Sequence, residues 1–440
     1  MMYEINGKYT NAKVMIDDLD ASAVSQIVEM VNNQCFTNPI AIMPDAHAGK
    51  GCVVGFTMEL SDKLIPNIIG SDIGCGMLSF NVGSNLLSNE KMPLLDEAIR
   101  ERIPFGASAR GKMSKDAMFD WKSINDELRK LCMEYNTRYN MSMAPVVMDT
   151  EKLRAIFDRV GCDYHRGMLS IGSLGGGNHF IEIGKDENND YWVTIHSGSR
   201  NFGKCIAEYW QKIAHKNMNE PALSKTDYVE FVKANFDKMK WQDEIAKYET
   251  LVGGKSRVGK GTEYLEGKDV YGYLVDMFVA QKYAEMSRYV MSCELVNSIR
   301  VVSDTFKGVV QCIETVHNFV DFKDWIIRKG AIRSYKGELM IIPFNMEDGL
   351  LIVEGKSNND WNNSAPHGAG RLFSRSAAKA NLDLDMATKS MKDNGIYSSS
   401  IPLDEVKGAY KPCEVIEACI EPTATIIHRI KPVMNLKDGQ

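Results

Sequence analysis

The segment His179-Phe-Ile-Glu-Ile-Gly-Lys-Asp-Glu-Asn-Asn-Asp-Tyr-Trp-Val-Thr-Ile-His196 reads as a β-hairpin with a histidine at each open end. Phe180–Ile183 and Tyr191–Ile195 are rich in β-branched and aromatic residues, and Gly184–Asp190 between them consists of turn formers. Antiparallel pairing brings His179 and His196 to the same end of adjacent strands, as two ligands of one cluster require. Working outward, Val53–Leu60 and Met77–Val82 read as strands around a loop that carries Asp72 and Cys75, with Leu339–Pro343 and Leu350–Val353 as a further pair. Met92–Arg102 and Val270–Val290 read as helices. In the second, Leu274, Met277, Phe278 and Gln281 trace one face, a core stripe. The class is α+β. Motifs run from Asp45 to Lys437, which argues for one interdigitated catalytic domain over residues 1–440, with a helical subregion at 205–300.

The chemistry concentrates on histidine. Only eight occur in 440 residues. His47 lies in Met43-Pro-Asp-Ala-His-Ala-Gly-Lys-Gly51, His196 in Thr194-Ile-His-Ser-Gly-Ser-Arg200, and His317 in Glu314-Thr-Val-His-Asn318. Asp72 and Cys75 sit in Ile69-Gly-Ser-Asp-Ile-Gly-Cys-Gly-Met77. Asp, Cys and several His form the ligand set of a borderline divalent cation such as zinc, manganese or cobalt. Five ligands exceed one tetrahedral site, so two metals sharing the thiolate is the economical reading. A close pair of that kind clamps both oxygens of an in-line phosphoryl displacement. Asn363-Ser-Ala-Pro-His-Gly-Ala-Gly-Arg-Leu-Phe-Ser-Arg375 adds a nucleophile-grade imidazole, His367, beside glycines that admit oxyanions and arginines that fork onto phosphate. His165 and His215 read as surface or helix residues, His428 as a strand residue, and His47 stands open between a loop role and a role near the metals.

Composition sets limits. The charge of −6, from 52 basic and 58 acidic residues, gives no global support for nucleic-acid binding and leaves a local groove as the route. Ten cysteines without a CxxC pair, and a polar Met1–Thr10, point to a reducing cytoplasm; no run of about 18 apolar residues suggests a membrane span. Cys75 has a functional reading, and the other cysteines default to buried small hydrophobes. Gly254-Lys-Ser-Arg-Val-Gly-Lys-Gly261 nearly matches a phosphate loop, but Gly261 stands where a hydroxyl is needed, so it reads as a basic surface loop.

From about Ile40 to the C-terminus, the order and spacing of these motifs resemble the RtcB-type RNA ligases, which join RNA ends with GTP and manganese. The resemblance implies a single RtcB-like mixed α/β catalytic fold with a central metal and nucleotide cleft. Asp72, Cys75, His179, His196 and His317 would hold two manganese ions, with Cys75 bridging. His367 would become guanylylated, and Asp45 would serve the early chemistry. Asn178, Glu182, Asn318, Pro343, Asn345, Met346, Gly368, Ala369, Gly370, Tyr410 and Lys437, with His367, would line GTP. Arg200, Arg371 and Arg375 would face RNA phosphates. The implied reaction joins an RNA 3′-phosphate, or a 2′,3′-cyclic phosphate opened first by water, to a 5′-hydroxyl through a histidine–GMP intermediate, in tRNA splicing or RNA repair. An accessory activator or release-factor-like partner remains open.

Four departures mark a divergent branch. The family's Pro-Gly-Ser-Met-Gly turn reads Pro343-Phe-Asn-Met-Glu347, a family serine falls at Leu350, Ile327 replaces a histidine before Arg328-Lys-Gly-Ala331, and the ending is Lys437-Asp-Gly-Gln440. The rivals are a dimetal phosphodiesterase or phosphatase acting on RNA ends, which needs neither His367 nor Lys437, and a non-catalytic RNA-end-binding protein.

Overall fold

A computed structural model describes residues 2–84, 89–219, 225–247 and 261–439. The hairpin forms as its alternation dictates. Phe180–Lys185 pairs antiparallel with Tyr191–Ser197, with Phe180 opposite His196. It lies inside a seven-stranded sheet in the order Gln311–Val316, Gly76–Asn81, Tyr191–Ser197, Phe180–Lys185, Ala424–Leu436, Leu350–Gly355 and Leu339–Pro343. The sheet curls until its edges meet, and the Ile341 N–H donates to Thr315 Oγ1 at 3.1 Å.

Period-two alternation then gives the sheet two buried faces. Met77, Phe180, Trp192, Ile313, Ile341 and Ile430 pack within the curl. Leu78, Phe80, Ile181, Ile183, Val193 and Ile195 pack outward against Leu95 and Ile99 of the Met92–Arg102 helix. Glu182 and Thr194 belong by alternation to the inner set, so the sheet carries polar groups into its own interior.

A second sheet has the order Tyr3–Asn6, Asn11–Val14, Ile40–His47, Val54–Glu59, Ile326–Lys329 and Phe319–Asp321. Its Ile40–His47 strand is bulged, with a register shift between Ile42 and His47. The ammonium of the buried Lys411 donates to the Pro44 and Ala46 carbonyls at 2.9 and 3.1 Å, fastening that bulge.

The expected helix at Val270–Val290 runs from Lys268 to Val302, and it is enclosed rather than one-sided. Leu274, Met277 and Phe278 are buried as the stripe predicts, but so are Tyr273, Val275, Val279 and Tyr283 around the rest of its girth. A helix apolar all round carries no face for periodicity to find. Its buried carboxylate is matched: Asp276 accepts from Arg159 Nη2 at 2.7 Å and from Trp210 Nε1 at 2.7 Å. Arg200–Asn219, Lys225–Asn235 and Trp241–Ala246 are further helices of the middle of the chain. Of the near phosphate loop, Gly254–Lys260 lies outside the described residues.

All ten cysteines are free thiols, but they are not uniformly buried. Cys312 is exposed because it sits on the edge strand Gln311–Val316, and Cys205, Cys293, Cys413 and Cys419 are half-buried. Among the described residues, no helix is long and apolar enough to cross a membrane.

Candidate active site

Four strands end at one place. Cys75 immediately precedes Gly76–Asn81, His179 precedes Phe180–Lys185, His196 is near the end of Tyr191–Ser197, and His317 follows Gln311–Val316. Register brings them together: Met77 and Phe180 both oppose His196, Val316 opposes Gly76, and the His317 N–H donates to the Cys75 carbonyl at 2.8 Å. Asp72 enters from the preceding loop, where its Oδ1 accepts from the Ser199 N–H at 3.1 Å. A Cβ at Gly198 would fall 2.2 Å from that same oxygen, so only glycine leaves room for the carboxylate.

The donor set suits cations. Five groups form two clusters, Asp72/Cys75/His179 and Cys75/His196/His317, and Cys75 belongs to both. The His179 Nδ1–H donates to the Leu174 carbonyl at 2.8 Å, because a carbonyl can only accept; its Nε2 lone pair faces Cys75 Sγ at 3.5 Å and Asp72 Oδ2 at 3.0 Å. A ring N–H of His196 likewise donates to the Asn178 carbonyl, leaving Nε2 3.4 Å from Cys75 Sγ and 3.3 Å from His317 Nε2. His317 Nδ1 is buried with no partner. Burial holds the imidazoles of His196 and His317 well below their usual range, so both arrive neutral with lone pairs to give. Burial, and then the neighbouring Asp72, push the Cys75 thiol well up, and a divalent cation is what would stabilise its thiolate. The Nε2 lone pairs aimed by the Leu174 and Asn178 carbonyls, on either side of a thiol shared by both clusters, suit a cation site.

His367 lies next to this cluster, its ring centroid 4.8 Å from that of His317. Asp45 sits beneath it, fully buried. Asp45 Oδ2 accepts from His367 Nδ1 at 2.6 Å and from the His367 and Gly368 backbone N–H groups at 3.1 and 3.2 Å. That fixes the tautomer and leaves Nε2 as the nitrogen with a lone pair. Asp45 therefore acts on the imidazole and is a positioning residue. The close approach depends on Gly370, whose φ is +74° and whose added Cβ would lie 2.3 Å from the Asp45 carbonyl oxygen.

Asp72, Cys75, His196, His317 and His367 open into a cavity of about 460 Å³ that is also lined by Asn178, Glu182, Asn318, Pro343, Asn345, Met346, Gly368, Ala369, Gly370, Arg371, Arg375, Tyr410 and Lys437, while His179 lies behind it. Register places Asn435 opposite Glu182, and its Nδ2 donates to Glu182 Oε2 at 2.8 Å. Glu182 Oε1 and Asn435 Oδ1 are both buried without a donor. Lys437 follows two residues later on the same face. Its ammonium donates to Glu405 Oε2 at 2.9 Å and stands 5.2 Å from the centroid of the Phe180 ring. Asn318 has φ +68° and bridges the wall: its Nδ2 donates to the Asp72 carbonyl and its Oδ1 accepts from the Gly330 N–H.

Two expected residues are placed differently from the rest. Arg200 does not line the cavity with Arg371 and Arg375; it donates to the Gly106 carbonyl at 2.7 Å and to Ser173 Oγ at 3.2 Å. Asn345 lines the cavity, but its Oδ1 accepts from the Glu347 and Asp348 N–H groups and its Nδ2 donates to Asp348, so the amide is spent within its own turn.

Residues that sequence reasoning missed support the site from behind. Glu405 gathers Arg371, Arg375, Tyr410 and Lys437 on one carboxylate. Burial alone would raise Glu405, yet Lys437 and Arg371 hold it below its ordinary value. Arg288 of the central helix, fully buried, donates through Nη1 to the Gly74 and Ser197 carbonyls, both at 2.9 Å, and through Nε to Glu314. It thereby ties the backbone beside Cys75 to that beside His196. A lone arginine amid the apolar run of that helix was the available signal; for Glu405 there was none.

The fold and cleft define a mixed α+β protein whose buried Asp/Cys/His cluster can hold metal. The profile of the family described as tRNA-splicing ligase RtcB matches residues 26–438, and the chain belongs to that family. RNA-splicing ligase RtcB1 and RNA-splicing ligase RtcB, from two strains of Escherichia coli, are each 27% identical to it over 95% of this chain and 95% of their own. The tRNA-splicing ligase RtcB of Nanoarchaeum equitans is 24% identical over 95% of this chain and 91% of its own.

Proposed function

We propose that the chain is an RNA ligase that joins a 3′-phosphate, or a 2′,3′-cyclic phosphate, to a 5′-hydroxyl through a GMP carried on His367. The observation that carries this reading is the 2.6 Å contact between Asp45 Oδ2 and His367 Nδ1 beside the shared-thiol cluster. Asp45 keeps the proton on Nδ1, so Nε2 attacks the α-phosphorus of GTP and pyrophosphate leaves. Asp45 also stabilises the cationic ring that results. GMP then passes to the RNA 3′-phosphate, which is otherwise a poor electrophile, and the 5′-hydroxyl displaces it. Two divalent cations, manganese by the family resemblance, would be held by Asp72, Cys75, His179, His196 and His317 and would supply neutralisation of the phosphate oxygens.

Guanine suits the pocket chemically. Glu182 Oε1 and Asn435 Oδ1 are acceptors without donors. Guanine offers N1–H and N2–H₂ side by side, and its O6 would take the Lys437 ammonium. Adenine offers the reverse pattern, and each buried mismatch would cost about 1–3 kcal/mol. Arg371 and Arg375 border the same cavity and would take RNA phosphates. Placing Arg200 on RNA requires exchanging its contacts to Gly106 and Ser173. Ten free thiols agree with work in a reducing cytoplasm.

A phosphodiesterase would need the cation cluster but no carboxylate-held His367 and no guanine pocket. Incubation with manganese and GTP labelled in the α-phosphate separates the two readings. The protein should gain an acid-labile, base-stable label, and His367→Ala should lose it with metal content unchanged. A label undiminished in His367→Ala removes His367 as the nucleophile; no label on the unmodified protein favours the phosphodiesterase.

A further inference from the structure

We infer that His47 is the general base of the sealing step, taking the proton of the RNA 5′-hydroxyl as that oxygen attacks the activated 3′ end. The inference rests on the ligase reading above. In the step, the 5′ oxygen forms a bond to the phosphorus of the 3′ end and the bond from that phosphorus to the GMP phosphate breaks. The hydroxyl proton goes to His47 Nε2, and GMP leaves as a phosphate monoester that needs no proton.

Geometry provides the base. The bulge between Ile42 and His47 re-aims this stretch of strand, as bulges beside active sites do. Asp45 and His47, two residues apart, both reach the cleft region, Asp45 under His367 and His47 on the lining itself. The His47 Nδ1–H donates to the Asp45 carbonyl at 3.0 Å, which leaves the lone pair on Nε2. This is the device that aims the Nε2 atoms of His179 and His367, but here, among the described residues, the aimed nitrogen has neither a cation cluster nor a carboxylate to serve.

Elimination points the same way. The lone pairs of His179, His196 and His317 converge on the cation sites, and that of His367 carries GMP. Asp72 belongs to the cation cluster, Glu182 to the base pocket, and Glu405 is saturated by cations and Tyr410. Glu208 also lines the cavity, but it is exposed to solvent and its carboxylate lies 3.9 Å from the Lys204 ammonium. Burial lowers the His47 imidazole below its ordinary value, and the nearby His367 and Arg371 lower it further. The Asp45 carbonyl and carboxylate work the other way, and Asp20 also lies close enough to interact with the ring. The ring is thus a neutral acceptor at physiological pH.

The test uses the full-length, manganese-loaded protein and two RNAs, one with a 3′ end already activated by GMP and one with a 5′-hydroxyl, so that guanylylation is bypassed. His47→Gln should slow sealing by a factor of about 10² to 10⁴, the usual range for a lost general base. It should slow sealing at least tenfold more than it slows labelling of His367 by GTP. The unmodified protein should show sealing that rises with pH as His47 loses its proton, and this acid limb should vanish in the variant. Added imidazole should restore sealing in His47→Gly, which a purely structural histidine would not allow. Sealing by His47→Gln within threefold of the unmodified rate, or a loss with an unchanged pH profile and no imidazole rescue, overturns the inference. If the unmodified protein neither labels with GTP nor seals the activated RNA, the ligase reading itself falls and this one with it.

Discussion

Burial of Glu182 inside the curled sheet pushes its carboxyl up to about 8, opposed by the Asn435 amide and the Lys437 charge. Below pH 4.5 the folded and unfolded chains both hold this proton, and stability is unaffected. Between 4.5 and about 8 the unfolded chain releases it while the folded chain keeps it, so stability falls as pH rises, by up to about 1.4 kcal/mol per pH unit. Glu182→Gln should remove that slope, as urea midpoints between pH 5 and 8 would show; parallel profiles for the two proteins sink the assignment. If Glu182 accepts guanine donors as a carboxylate, GTP binding must expel the proton. Affinity should then rise up to tenfold per pH unit until about pH 8 and level off above it, and Glu182→Gln should be flat. At this scale, most of the residues that the fold brings together in the cleft were legible because they sit in compact motifs. Glu405 was not, since Arg371, Tyr410 and Lys437 meet it only in the folded chain.

Strands place the cluster, and the ends of strands are what sequence reads well. The hairpin, the Met92–Arg102 helix and the Leu339–Pro343 pair follow from local alternation and turn chemistry, and the structure has them. The central helix was read too short and too one-sided, because enclosure by several partners erases the period that marks a surface helix. Arg288 was missed for a related reason: its value lies in two carbonyls, Gly74 and Ser197, from different strands. The shared thiol has a measurable consequence. Cys75 belongs to both ligand sets and His317 to one, so Cys75→Ala should lower occupancy at both sites while His317→Ala weakens mainly one. Elemental analysis after dialysis at limiting manganese distinguishes them. Loss of a single equivalent in Cys75→Ala, with the other bound at full affinity, contradicts bridging.

At the scale of the whole molecule, the cleft is lined by Lys437 as well as by residues far from it in sequence. Lys437 follows the Ala424–Leu436 strand, which pairs with Phe180–Lys185 on one side and Leu350–Gly355 on the other. Its ammonium is buried against Glu405, and its carbonyl accepts from Arg100 Nη2 at 3.2 Å, so a residue that sequence position alone would assign to a loose tail is held from both ends. The ammonium donates to Glu405 and, at 3.4 Å, to the Asn178 carbonyl, and under the proposed reading its third N–H would serve the guanine base. If Lys437 reads the base, removing Lys437–Gln440 would take away one charge-assisted hydrogen bond, worth about 1.5–3 kcal/mol, and should raise the GTP requirement roughly tenfold to a hundredfold. Manganese content should be unchanged, because among the described residues Lys437–Gly439 makes no hydrogen bond to any of the five cluster side chains. Lys437→Met separates the ammonium from the backbone that carries it: it keeps the Arg100 contact to the carbonyl and should reproduce most of the effect. Half-saturation of His367 labelling by GTP is the readout. A truncated protein that labels at unchanged GTP concentrations would place the base elsewhere in the cleft, while one that also loses manganese would show that the terminus supports the fold rather than the nucleotide.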